Sequence, residues 1–154
     1  MRETASRPEL RNASISPLKA PRAMSPQYPA LYLEGLRLFN EEDFFESHEV
    51  LEELWTDTLD ERRKFYQGLI QVAVALLHFG NGNLGGARKL YTTSTAYLAA
   101  YTPHYEGLDV ARLLTDFEFC FRELLDSRET YPAHVELRDE RIPKITIPTS
   151  DPSA

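Results

Sequence analysis

From Pro29 onward, apolar residues recur at intervals of three and four, the period of an α-helix. The first such segment spans Pro29 to Phe39, with the proline in the first turn, where its missing N–H costs nothing. The second runs from Asp43 to Asp57. It is entered through NEED, whose carboxylates suit a helix N-terminus. Asp60 caps a third segment that reaches Phe79 and is broken by GNGNLGG. Asn83 caps a fourth, which stops near Tyr101 ahead of Pro103, and Asp109 caps a fifth that ends near Ser127. No other stretch carries a strand pattern. Short connections favour antiparallel neighbours, so the expected class is all-α: about five helices in an antiparallel bundle or irregular array.

The faces of these segments differ in kind. On the fourth, Ala87, Leu90, Tyr91, Ser94, Tyr97, Leu98 and Tyr101 form one stripe. On the fifth, Val110, Leu113, Leu114, Phe117, Phe121, Leu124 and Leu125 do the same, with Phe119 on the opposite side. The third, near 61–79, has no formal charge between Phe65 and Phe79 and is apolar around most of its circumference. It is therefore predicted to be the central, buried helix. Its remaining polar stripe is Gln67, Gln71 and His78, and buried amides and imidazoles need partners.

The second segment faces that stripe in the expected packing. At about 100° per residue, Phe44, Leu51 and Trp55 point inward, His48 falls within the same arc and Glu52 lies at its edge. Glu46, Glu49 and Glu53 point to solvent. The adjacent His48-Glu49 pair is thus split by the helix. A zincin would need a second histidine where Glu52 stands, and a di-iron bundle needs Glu-x-x-His on two helices. Neither pattern is present. His48 and Glu52, one turn apart, remain a plausible pair, with His48 as base or ligand and Glu52 as its orienting carboxylate. Gln67, Gln71, His78 and Trp55 complete a candidate ligand-binding set. His48, Glu52 and His78 are the candidate ligands for a divalent metal, although their spacing is not diagnostic. The bland reading is a His/Glu/Gln network that satisfies itself and fixes helix register.

Composition narrows the setting. The single Cys120 excludes an internal disulfide and a multi-cysteine zinc site, and it fits a reducing compartment. It lies on a Phe-rich face with no base beside it. The most apolar run, FYQGLIQVAVALLHF, is too short and too interrupted to span a bilayer, so the expected setting is cytoplasmic. Residues 1–23 carry five basic and two acidic residues, and the remainder twelve and twenty-two. So acidic a body disfavours nucleic acid. GNGNLGG lacks the Lys-Ser/Thr of a phosphate loop and reads as a helix–helix turn. Residues 1–25 are predicted to be a disordered extension, with Met24 as an alternative start, 26–130 the helical domain and 131–154 an extended tail that drapes over it. A transit peptide is the sharper reading of the extension, weakened by Glu3 and Glu9.

FNEEDFFESHEVLEELW and FYQGLIQVAVALLHFGNGNLGGARKLY together resemble a bacterial and plastid family known as domain of unknown function 309. The resemblance covers roughly Tyr32 to Tyr101. Its signature positions fall on Asn40, Phe44, Glu46, His48, Glu49, Glu52, Trp55, Gln67, Gly68, Gln71, His78, Asn83, Gly86 and Ala87. It implies a small all-α domain and no assigned enzymatic activity. A looser likeness to tetratricopeptide helices in GGARKLYTTSTAYLAAYTP concerns packing, since one half-match is not an array. Two expectations result. The leading one is a buried polar pocket around His48 and Glu52 that takes a small ligand or metal. The alternative is a non-catalytic interaction module in which that cluster is structural. Its contact would run through the acidic face of 41–53 or around Phe119, with another protein or a second copy of the chain.

Overall fold

The computed structural model describes residues 28–149, whose helices are α1 (Ala30–Asn40), α2 (Phe44–Asp57), α3 (Arg62–Gly80), α4 (Leu84–Ala99) and α5 (Val110–Asp126). The class is all-α, as expected. The extension 1–25, with Met24, lies outside the described residues. The caps are those the sequence marks: Asp43, Asn83 and Asp109 each accept from the backbone N–H three residues on. Asp60 acts one position early. Its carboxylate accepts from Arg62 N at 3.0 Å and grips the Arg62 guanidinium, while Glu61 occupies the cap position.

Each helix packs on its sequence neighbour, and α3 lies between α2 and α4. Its Phe65, Tyr66, Val72, Ala73, Ala75 and Leu76 are wholly buried, as expected for the central helix. α5 closes the other side through Val110, Leu113, Phe117, Phe121 and Leu124. Phe121 meets Phe79 of α3 and Tyr91 of α4 at ring separations of 4.8 and 5.1 Å. Each such side chain is worth about 1.5–3 kcal/mol when fully buried. Arg88 of α4 reaches over to the end of α5, donating to the carbonyls of Leu124, Glu129 and Thr130. It thereby satisfies acceptors that the helix terminus leaves open.

Two features depart from the sequence expectation. First, a hairpin, β1 (His104–Tyr105) and β2 (Leu108–Asp109), joins α4 to α5 where no strand is predicted. Its turn residues, Glu106 and Gly107, have φ of 48° and 72°, the left-handed pair that a two-residue hairpin requires. The buried Tyr32 hydroxyl of α1 donates to the Glu106 carbonyl at 2.8 Å and holds the turn. Strands of two residues are too short to show alternation. Second, the tail expected to drape over the helices enters their core, and the packed unit runs Tyr28–Pro148. Ile142 and Ile145 are core residues. The Asn40 amide both accepts from Ile145 N (2.8 Å) and donates to Ile145 O (2.7 Å), pairing the tail as a strand would. Lys144 adds bonds to the Asn40 carbonyl and to Glu42.

Candidate functional site

α2 presents three surfaces. Phe44, Ser47, Leu51 and Leu54 are buried, and Ser47 donates to the Gly35 carbonyl of α1 at 2.8 Å. His48 and Trp55 are half-buried on one flank, while Phe45, Glu46, Glu49, Glu52 and Glu53 are exposed. Glu52 therefore sits further out than the helical wheel predicts, and the expected His48–Glu52 pair does not form. The His48 ring instead donates from Nδ1 to the Phe45 carbonyl at 2.7 Å and lies edge-on to the Phe45 ring. A carboxylate at the water's edge is well solvated, and an exposed ion pair offers it little. A carbonyl three residues back is the nearer partner.

The polar stripe of α3 also turns away from the expected direction. Gln71 faces α4, where the Thr93 hydroxyl donates to its Oε1 at 2.7 Å. His78 stands at the α3–α4 turn, and its Nδ1 accepts from the Asn83 amide at 3.3 Å. The other end of that amide caps α4 through Gly86 N at 3.0 Å. A Cβ on Gly86 would come within 2.6 Å of Asn83 Nδ2 and 3.0 Å of His78 Cδ2, so the relay depends on glycine there. GNGNLGG is thus a helix–helix turn. The Gln67 side chain is half-buried and makes no hydrogen bond among the described residues. His48, Glu52 and His78 are not gathered as metal ligands. No group of three or more His, Cys, Asp or Glu side chains converges among the described residues.

Arg63, one turn before Gln67, did not figure among the sequence candidates. Its guanidinium carbon lies 3.7 Å from the centroid of the Trp55 ring. Extending the Gln67–Gln71 stripe back by four residues would have reached it. Surface clefts among the described residues lie elsewhere. One, of about 260 Å³, is bounded by Leu108, Arg112, Leu113, Lys144 and Ile145. A second, of about 320 Å³, adjoins Phe119. A third, of about 440 Å³, lies beside Phe79, Gly82 and Leu137. Phe119 is 42% exposed but partly roofed by Arg141 of the tail, 4.5 Å from its ring. Cys120 is buried, and burial pushes its thiol up to about 12 against the opposing pull of Arg141. It is a packing residue rather than a nucleophile.

No helix among the described residues is long and apolar enough to cross a membrane. The family described as "Domain of unknown function (DUF309)" matches residues 32–90. The uncharacterized protein YpuF of Bacillus subtilis is 35% identical over 123 residues, covering 75% of this chain and 68% of the relative. An uncharacterized protein of Aquifex aeolicus is 29% identical over 100 residues, covering 64% of this chain but only 29% of that longer protein. The chain belongs to the DUF309 family.

Proposed function

We propose that this protein is a non-catalytic interaction module that offers the outer face of α2 to a basic segment of a partner protein. The observation that carries this reading is the setting of Phe45. It is 50% exposed at the start of a helix whose outer face is otherwise acidic, so its ring stands among carboxylates. Glu49 and Glu52 continue its stripe, and Glu46, Glu53 and Asp57 run alongside. None of these five acids has an ion-pair partner among the described residues. By contrast, Glu41 pairs with Arg37 and Glu42 with Lys144. An apolar anchor ringed by unpaired carboxylates suits a segment with lysines or arginines around an apolar residue. The same charge repels a phosphate backbone. The internal engagements of Gln71 and His78 support a structural role for those two residues.

The test is a titration of the labelled protein with a lysine- and leucine-rich model helix, followed by amide NMR. The expected result is salt-sensitive shifts confined to 45–57, abolished in Phe45→Ser/Glu49→Lys. Shifts spread over every acidic patch, or none at all, would reject the reading.

A further inference from the structure

The stacked pair Trp55 and Arg63, at either end of the short connection 58–61, is not self-sufficient. Trp55 Nε1 and Arg63 Nε are both cut off from water, and neither has a hydrogen-bond acceptor. A donor left in that state costs about 1–3 kcal/mol, and more when it is charged. The cation–π stack returns only about 0.5–2 kcal/mol. Five other arginines, Arg37, Arg62, Arg112, Arg122 and Arg138, each hold a carboxylate. Arg88 holds carbonyls. Arg63 has neither, in a chain of net charge −7 with carboxylates to spare. One turn along the same side of α3, the Gln67 amide is also without a partner among the described residues. Two buried donors without an acceptor, Trp55 Nε1 and Arg63 Nε, therefore adjoin one another where α2 meets α3, with the half-buried Gln67 amide one turn along α3.

We infer that Trp55, Arg63 and Gln67 form a binding site for a carboxylate. No ion pair or hydrogen bond anchors the Arg63 side chain, so a rotation about its flexible stem lifts it from the indole and uncovers Nε1. A carboxylate entering there accepts from the planar guanidinium fork with two oxygens and from the indole N–H with one. The Gln67 amide donates to the remaining lone pairs. A single negative charge fits better than the double charge of a phosphate ester, because Glu52 stands one turn before Trp55 on α2. The site is separate from the Phe45 face and does not depend on that reading. Its carboxylate comes either from a free small acid or from a polypeptide.

Trp55 is the only tryptophan, so the full chain gives one indole N–H resonance. Titration with acetate, and separately with a short peptide bearing a free C-terminus, is compared with chloride and inorganic phosphate at equal ionic strength. The expected result is a saturable downfield movement of the indole signal with a carboxylate and not with chloride. Arg63→Met should weaken it about tenfold or more, and Gln67→Met less. Saturation by the peptide at far lower concentration than acetate assigns a polypeptide source, and the reverse assigns a small acid. A linear drift shared with chloride, stronger binding of phosphate, or titrations unchanged in both variants would overturn the site. If Arg63→Met does not fold, Arg63→Lys and Gln67→Met carry the same comparison.

Discussion

The two flanks of α3 use similar side chains to opposite ends. On the α4 flank every polar group of the stripe is engaged: Gln71 with Thr93, and His78 with Asn83. Towards α2, Arg63 Nε and Trp55 Nε1 have no acceptor and Glu52 is exposed, while the half-buried Gln67 amide, between Arg63 and Gln71 on the stripe, has no partner among the described residues. The difference is one of approach. α3 carries Gly68 against α4, and Leu98 lies where a side chain would be. That close contact brings Gln71 within reach of Thr93. Towards α2 the Trp55 ring is met by the stacked Arg63 guanidinium, which buries Trp55 Nε1 and Arg63 Nε without giving either an acceptor. A glutamine on a buried helix is thus a strut on one flank and an available group on the other.

The largest expected effect strikes the closed flank. A Cβ at Gly68 would lie 2.7 Å from Leu98 Cδ2 and 3.3 Å from Tyr97 Cβ. Gly68→Val should therefore cost about 3 kcal/mol, at the upper end of overpacking in a filled core. Gln67→Val, its neighbour on the open flank, should stay within about 0.5 kcal/mol. Urea denaturation of both variants checks this, and equal costs would erase the distinction between the flanks.

Next in size is the relay at the α3–α4 turn. Asn83→Ala removes the cap of α4 and the partner of His78 together, for about 1–2 kcal/mol. The double variant with His78→Ala should cost less than the two single losses combined, with a coupling of about 0.5 kcal/mol or more. Strict additivity in thermal melts would mean that His78 does not act through Asn83. Smaller again is Gln71→Leu, expected to cost about 1 kcal/mol for the lost Thr93 bond. Gln67→Leu should be near neutral.

Much of the architecture was legible because it rests on local signals. Asp43, Asn83 and Asp109 mark helix starts, and the uncharged run from Phe65 to Phe79 marks the central helix. The hairpin at 104–109 was not legible, since strands of two residues have no period to read. Nor was the tail's place in the core. It depends on Asn40 meeting Ile145 across 105 positions of sequence, a contact with no local trace. For the site, the helical wheel put His48 and Trp55 in the inward arc with Phe44 and Leu51, whereas both lie half-buried on a flank. It gave no way to know whether Gln67, Gln71 and His78 face α2 or α4, because a helix buried nearly all round can be rotated to either. Arg63 was passed over because an arginine in the first turn of a helix reads as a surface residue until its stacking on Trp55 is seen.

The smallest expected effect lies in the tail, where charge closes a seam at the surface. Arg138 donates to Glu123 at 3.0 and 3.3 Å, and that hydrogen bonding holds the Glu123 carboxyl below the usual glutamate range. A carboxyl whose value is depressed in the folded state contributes stability above its unfolded value, near 4.3. The contribution is lost as pH falls through the folded value. Amide-exchange protection around 138–145 should therefore weaken on acidification through that range, and Glu123→Gln should weaken it at neutral pH and flatten the dependence. Both residues of the pair are well exposed, so the change should be confined to the tail and leave the midpoint of global unfolding almost unmoved. Glu52→Gln, on the open flank, supplies the baseline: with no partner to lose, it should leave tail exchange unchanged at every pH. An equal response in the two variants would mean that the Arg138 contact does not fasten the tail.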